Sequence, residues 1–181
     1  DTKIENGGNL LGDPTETSLI QYAFDQNIDV QNLLRNHPRI QEVPFDSERK
    51  LMSTINKYGD KYYVAVKGAP DQLLKRVTSV SINGQVSPIT DEQKQDILAA
   101  NQNMAKKALR VLGLAYKIVD KTYNDPTTDN VEQDLIFAGL VGMIDPERPE
   151  AKEAIKEAHS AGIRTVMITG DFQVTAQAIA E

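Results

Sequence analysis

The chain has 181 residues, of which 40% are hydrophobic and 25% charged, the balance of an ordinary globular domain. Its net charge of -6 excludes a binder of nucleic-acid backbones, which needs a basic face to displace counterions, but leaves room for a mononucleotide in a local positive pocket. The absence of cysteine excludes disulfides and thiolate metal sites, no metal-ligand set is expected, and no apolar run approaches the ~20 residues of a membrane span.

Residues Pro14 to about Asn27 place Leu19, Ile20, Ala23 and Phe24 on one face of a helix, and a shorter helix follows at Val30 to Arg35. Strands are predicted at Ile40 to Val43, Leu51 to Lys57 and Lys61 to Val66, the last two joined as a hairpin across Tyr58-Gly59-Asp60. Asn83-Gly84 marks another turn between short strands. Thr90 with Gln93 forms a capping box, after which Ile97, Leu98, Asn101, Met104, Ala105 and Ala108 mark the face of a long helix. RVLGLAYKIV from Arg110 reads as a buried strand, and Lys121 to Asn130 as an exposed loop.

The pattern changes after Leu135. LIFAGLVGMID is a continuous apolar run of the kind that is buried on both faces. Pro149 then opens a helix through His159 that Gly162 closes, and TVMIT from Thr165 reads as a second buried strand leading into Gly170 and a further helix. The expected fold is therefore α+β: an antiparallel sheet flanked by helices over 1–138, then a partial doubly wound α/β segment over 139–181. The final VTAQAIAE lacks a C-cap and the start lacks a methionine, so both ends are expected to be cut points in a longer chain.

Several short motifs carry chemistry, each with a plain structural alternative. In GDPTE, Asp13 as N-cap, Pro14 at N1 and Glu16 at N3 make a helix start whatever else they do. In VPFDSERKLMS, Phe45 offers either a face for a planar base or a core ring, and the pair Arg49-Lys50 either steers phosphate or is solvated. KGAPD sets Lys67 at a strand end, with Gly68 permitting close backbone approach. Arg110 is a candidate fork-like phosphate partner, and Thr169, Gly170 and Asp171 stand where a strand meets a helix, a usual phosphate position in α/β folds.

In this order and spacing, GDPTE, PFDSERKLMS, KGAPD, LRVLGLAY, GMIDPERPE and MITGD resemble the cytoplasmic region of P-type cation-transporting ATPases, in the group that includes calcium pumps and their bacterial relatives. The resemblance covers essentially the whole chain. It implies that 1–138 is the nucleotide-binding domain without its first strands, and that 139–181 is part of a haloacid-dehalogenase-like phosphorylation domain. It further implies that Phe45 stacks on adenine, Glu16 bonds the adenine amino group, Lys67 lines the base of the pocket, and Lys50 and Arg110 contact the phosphates of ATP or ADP. Asp13 and Gly68 belong to the same motifs. Thr169, Gly170 and Asp171 would face the transferred phosphate, with Asp145 and Arg148 near the hinge.

Where animal calcium pumps carry an arginine two positions after the stacking aromatic, this chain has Ser47, so that contact is expected to be lost or supplied by Arg49. The motifs DKTGT and GDGVND, which carry the phosphorylated aspartate and hold Mg2+, are both absent. The span is thus expected to bind ATP without turning it over, as part of a pump completed by phosphorylation, actuator and transmembrane domains, on the cytoplasmic face of a membrane. Calcium is the ion that the motifs favour. His37-Pro38 matches a dipeptide of heavy-metal pumps but not its surroundings, so His37 reads as a loop residue, and His159 as favouring a helix C-terminus. The competing readings are a fragment of a haloacid-dehalogenase-type phosphatase, which lacks its nucleophilic aspartate motif here, and a non-catalytic protein-binding scaffold.

Overall fold

The computed structural model describes residues 2–4, 9–144 and 149–168. The chain divides into two compact units: one takes the described residues up to Ile89 together with Gly113–Gly139, the other Thr90–Leu112 and the described residues from Leu140 on.

The first unit opens with a small ladder of β1 (Lys3–Ile4) and β2 (Leu10–Leu11), then α1 (Pro14–Asp25) and α2 (Val30–Asn36). The meander β3 (Arg39–Asp46), β4 (Leu51–Tyr58) and β5 (Lys61–Gly68) follows. Next come the short α3 (Pro70–Leu73), a 3-10 turn, β6 (Val77–Ile82) and β7 (Gln85–Pro88). These strands join β8 (Leu109–Val119) and β9 (Leu135–Ile144) in a seven-stranded sheet of order β3-β4-β5-β8-β9-β6-β7. Between β8 and β9 lies the single turn α5 (Thr128–Val131), which overlaps the end of the predicted loop and runs one residue beyond it to the buried Val131.

Period-2 alternation gives this sheet two chemically different faces. On one, Leu51, Ile55, Val64 and Val66 are buried, and Leu73, Val131, Leu135 and Phe137 are buried with them in the core. The cross-strand pairs Ser53↔Val66, Leu51↔Gly68 and Gly68↔Gly113 lie on this same face. On the other, Met52↔Lys67 and Thr54↔Ala65 lie opposite each other, with Lys67↔Leu114 and Ala65↔Tyr116 continuing the row across β8. Tyr63 stacks on Tyr116, ring centroids 5.3 Å apart, and burial pushes the Tyr63 hydroxyl up to about 12.

The predicted turns form as their residues dictate. Asn83 and Gly84 take φ of 50° and 80°, the left-handed pair that a tight hairpin needs, and close Ile82 on Gln85. β3 runs further than expected, through Pro44 to Asp46. It is an edge strand, and its register shifts between Val43 and Asp46, so a proline without an N–H is tolerated there. His37 is the C-cap residue of α2, with Nδ1 3.1 Å from the Lys57 carbonyl.

In the second unit, α4 (Asp91–Ala105) begins at the predicted capping box: Thr90 Oγ1 accepts from Gln93 N (3.2 Å) and Gln93 Oε1 from Thr90 N (2.9 Å). Thr90→Ala should cost about 1 kcal/mol, read as a lower urea midpoint for this unit. The stripe Ile97, Leu98, Asn101, Met104 and Ala105 is indeed the less exposed face, but the helix stops there, and Ala108 takes a left-handed φ of 58°. α6 (Pro149–Ser160) ends in a Schellman motif, in which Ile163 N donates to the Ala158 carbonyl and Gly162 N to that of His159.

Two expectations for the C-terminal part are corrected. LIFAGLVGMID does not form a strand buried on both faces: β9 is buried only at Leu135 and Phe137, and Ile144 is 75% exposed. Its first half pairs parallel with β6 and so completes the sheet of the preceding strands. TVMIT is not a strand over its described residues, and Ile168 is 94% exposed. A buried parallel strand exists only with neighbours to share its hydrogen bonds, and no described strand lies beside this one. Asp145, Arg148, Thr169, Gly170, Asp171 and the predicted terminal helix lie outside the described residues.

Candidate functional site

α1 is positioned by its own first residues. Asp13 Oδ1 accepts from Thr15 N at 2.8 Å, and its backbone carbonyl accepts from Glu16 N and Thr17 N. The Thr15 N–H holds the Asp13 carboxyl below its ordinary value. With Pro14 at N1, this cap fixes where the third helical residue points. That residue is Glu16, and its Oε1 accepts from Lys67 Nζ at 2.8 Å.

Both side chains of this pair are part-buried, with 23% of Glu16 and 28% of Lys67 exposed. The hydrogen bond from Lys67 is the largest influence on Glu16 and holds its carboxyl below 4.5, against the opposing pull of partial burial. The pair sits in the wall of an open cavity of about 660 Å3, bounded by α1 at Leu19 and Ile20 and by the sheet at Met52, Ala65 and Leu114. Besides this pair the lining carries Thr2, Arg39, Thr54 and Tyr63 among mainly apolar side chains. A charged pair in a mainly apolar wall is the makeup of a site that grips an apolar ring and orients it by a few polar atoms.

Phe45 and Lys50 are outside this lining. Phe45 is 62% exposed near the end of β3, which a core ring would not be. The turn that follows is built by Asp46, whose Oδ1 accepts from Glu48 N and Arg49 N at 3.0 Å each while its backbone carbonyl accepts from Lys50 N at 2.7 Å. Lys50 is exposed, with a left-handed φ of 57°. Its carbonyl accepts from Ala69 N at 3.0 Å and lies against Gly68, where an added Cβ would come within 2.1 Å of it. The small residue at 68 is thus demanded by the approach of the turn to the strand end. Arg110 belongs to the second unit, exposed at the start of β8.

Arg49 is engaged elsewhere than its neighbour Lys50. Its Nε lies 3.2 and 3.3 Å from the two carboxylate oxygens of Glu132, and its Nη2 donates to the Pro44 carbonyl at 2.6 Å. Glu132 is fully buried and accepts a third hydrogen bond from Ser53 Oγ at 2.6 Å. The sequence reading missed this cluster, because Glu132 in VEQD reads as a solvated charge. The one available signal was Ser53, the lone polar residue in the inward row Leu51, Ser53, Ile55. Among the described residues no group of three or more His, Cys, Asp or Glu is placed to hold a metal, and no helix is long and apolar enough to cross a membrane.

Comparison with known proteins identifies the class. Residues 1–150 match the family described as P-type ATPase, cytoplasmic domain N, and the chain belongs to that family. It is 47% identical over 176 residues, 97% of its length, to the calcium-transporting ATPase 1 of Bacillus cereus. It is likewise 47% identical over its whole length to the calcium-transporting ATPase 1 of Lactococcus lactis, and 42% identical over 173 residues, 95% of the chain, to the calcium-transporting ATPase of Bacillus subtilis. The chain spans about a fifth of the length of these relatives: 20%, 20% and 19%.

Proposed function

We propose that this span binds ATP for a cation pump, with adenine entering the cavity beside Glu16 and Lys67 and the phosphates leaving towards solvent. The observation that carries the reading is the Glu16–Lys67 pair, 2.8 Å apart in a mainly apolar wall. The carboxylate can accept from the adenine amino group, and the ammonium can donate to a ring nitrogen or lie against the ring. Phe45 supplies the stacking face, and Lys50 and Arg110 the positive charge for the phosphates. Arg49 is less available for that task, being paired with Glu132.

The wider proposal is that 1–138 is the nucleotide-binding domain and 139–181 the beginning of a haloacid-dehalogenase-like phosphorylation domain. In the full pump, Thr169, Gly170 and Asp171 would then approach the γ-phosphate. Actuator and transmembrane parts would complete a protein seated in a membrane with this span on the cytoplasmic side, and calcium would be the transported ion, as the names of the relatives suggest. Magnesium accompanying ATP would be held by the phosphates and by parts of the pump beyond this span. The span contains neither DKTGT nor GDGVND, so it should hold nucleotide without steady hydrolysis.

Calorimetric titration with ATP and ADP tests this. Phe45→Ala, at an exposed position that tolerates truncation, should leave the fold intact and weaken binding by about 1–3 kcal/mol, the worth of one stacked base. Unchanged affinity would remove Phe45 from the site. Release of phosphate by the purified span would contradict the division of labour.

A further inference from the structure

The buried Glu132 is placed to act on the nucleotide site without touching it. Its carboxylate receives Arg49 Nε from the turn between β3 and β4 and Ser53 Oγ from β4 itself. Arg49 reaches back with Nη2 to the carbonyls of Pro44 (2.6 Å) and Val43 (3.5 Å). One guanidinium therefore ties together the strand before the register shift, the turn after it and a carboxylate fixed in the core. Phe45 and Lys50 lie between and beside these anchor points, both exposed, with no burial of their own to hold them. Arg76 Nη1 donates at 3.5 Å to the Glu132 backbone carbonyl, securing the anchor from a fourth segment.

We infer that Glu132 is a positioning residue for the nucleotide site: through Arg49 it holds the Phe45–Lys50 turn in the shape that presents the stacking ring and the phosphate-facing lysine together. This rests on the nucleotide-site reading above. The tether acts by preorganisation. An exposed aromatic on an edge strand with a register shift samples several orientations, and a ligand that needs one of them loses affinity in proportion to the others. An arginine fork bonded to a backbone carbonyl on one side and a buried carboxylate on the other removes that freedom.

A purely structural ion pair makes a different prediction, because a buried pair can often be replaced by apolar residues of similar volume without loss of stability. The test is the triple variant Arg49→Met, Ser53→Ala, Glu132→Leu, which removes every buried polar partner of the cluster at once. It is compared with Glu132→Gln, which keeps the shape but not the charge. Folding is followed by thermal denaturation, ATP affinity by calorimetry, and the Phe45 ring by 13C relaxation without nucleotide.

The expected result is a folded triple variant whose ATP affinity falls about 5- to 10-fold, within the range of one stacked base, with a more mobile Phe45 ring. Glu132→Gln should shift both readouts the same way by a smaller amount. Wild-type affinity together with an unchanged ring in either folded variant overturns the inference. Should the wild-type protein bind no ATP, the nucleotide reading fails by itself, and the ring decides: raised mobility in the variants upholds the tether, unchanged mobility ends it.

Discussion

Gly68→Ala should destabilise the first unit by roughly 3 kcal/mol or more and lower its melting temperature by about 6–12 °C. The new methyl would lie 2.1 Å from the Lys50 carbonyl oxygen, 2.7 Å from Leu51 Cδ2 and 2.9 Å from Leu51 Cα. A leucine methyl can rotate aside, but the carbonyl and the Cα are backbone. That carbonyl is held by the Ala69 N–H, and Leu51 is fully buried. Relief therefore requires β4 and β5 to part or the turn at Lys50 to move, each at the expense of core packing. Differential scanning calorimetry measures the effect, and a shift under 2 °C would mean that the strands separate far more easily than this packing allows.

Lys67→Met should reduce ATP affinity by about 10-fold or more, the worth of a hydrogen bond to a charged group. The same substitution has a signature that needs no ligand. Glu16 is held below 4.5 chiefly by the hydrogen bond from Lys67. A carboxyl with a depressed folded-state value contributes stability that is fully present above its unfolded value and is lost as pH falls through the folded one. The wild type should thus lose stability across that acid window, and Lys67→Met should lose less there because the contribution is already gone. In parallel, the Glu16 side-chain resonance should titrate at higher pH in the variant. A Glu16 titration that does not move would show that the pair is not formed in solution.

The local structure of both units was plain in the sequence wherever short-range chemistry decides it. Asp13-Pro14 started a helix, Thr90 with Gln93 started another, Asn83-Gly84 closed a hairpin, and Gly162 ended α6, each because the residue type satisfies backbone groups or permits a conformation that few others do. Partner choice was less legible. The run from Leu135 carries the composition of a buried strand, but nothing in it says whether it lies beside β6, where its first half is found, or begins a new sheet. Polar groups that satisfy each other across the fold were invisible for the same reason. Glu132 and Arg49 are far apart in the chain and look like surface charges until the sheet brings them together.

For the candidate site, motif order named Glu16 and Lys67, and the structure sets the two against each other at 2.8 Å. It could not show that Gly68 is required by the chain's own Lys50 carbonyl, since that depends on a turn whose shape Asp46 and Arg49 determine together. Nor could it separate Arg49 from Lys50, adjacent residues of like charge, of which one is paired in the core and the other exposed.

The strand order also sets a timetable for biosynthesis. β3, β4 and β5 emerge in succession and can pair at once, but the free edge of β5 is covered only when β8 arrives and Gly113 meets Gly68. β6 waits longer still, for Leu135 to reach Val77. At ~5–20 residues per second a ribosome leaves that β5 edge open for some seconds. During this interval the nascent meander presents an unpaired row of amides to its neighbours on a polysome, which is the condition under which chains join edge to edge. Slower translation between the codons for β5 and β8 should therefore lower soluble yield more than the same delay placed after β9.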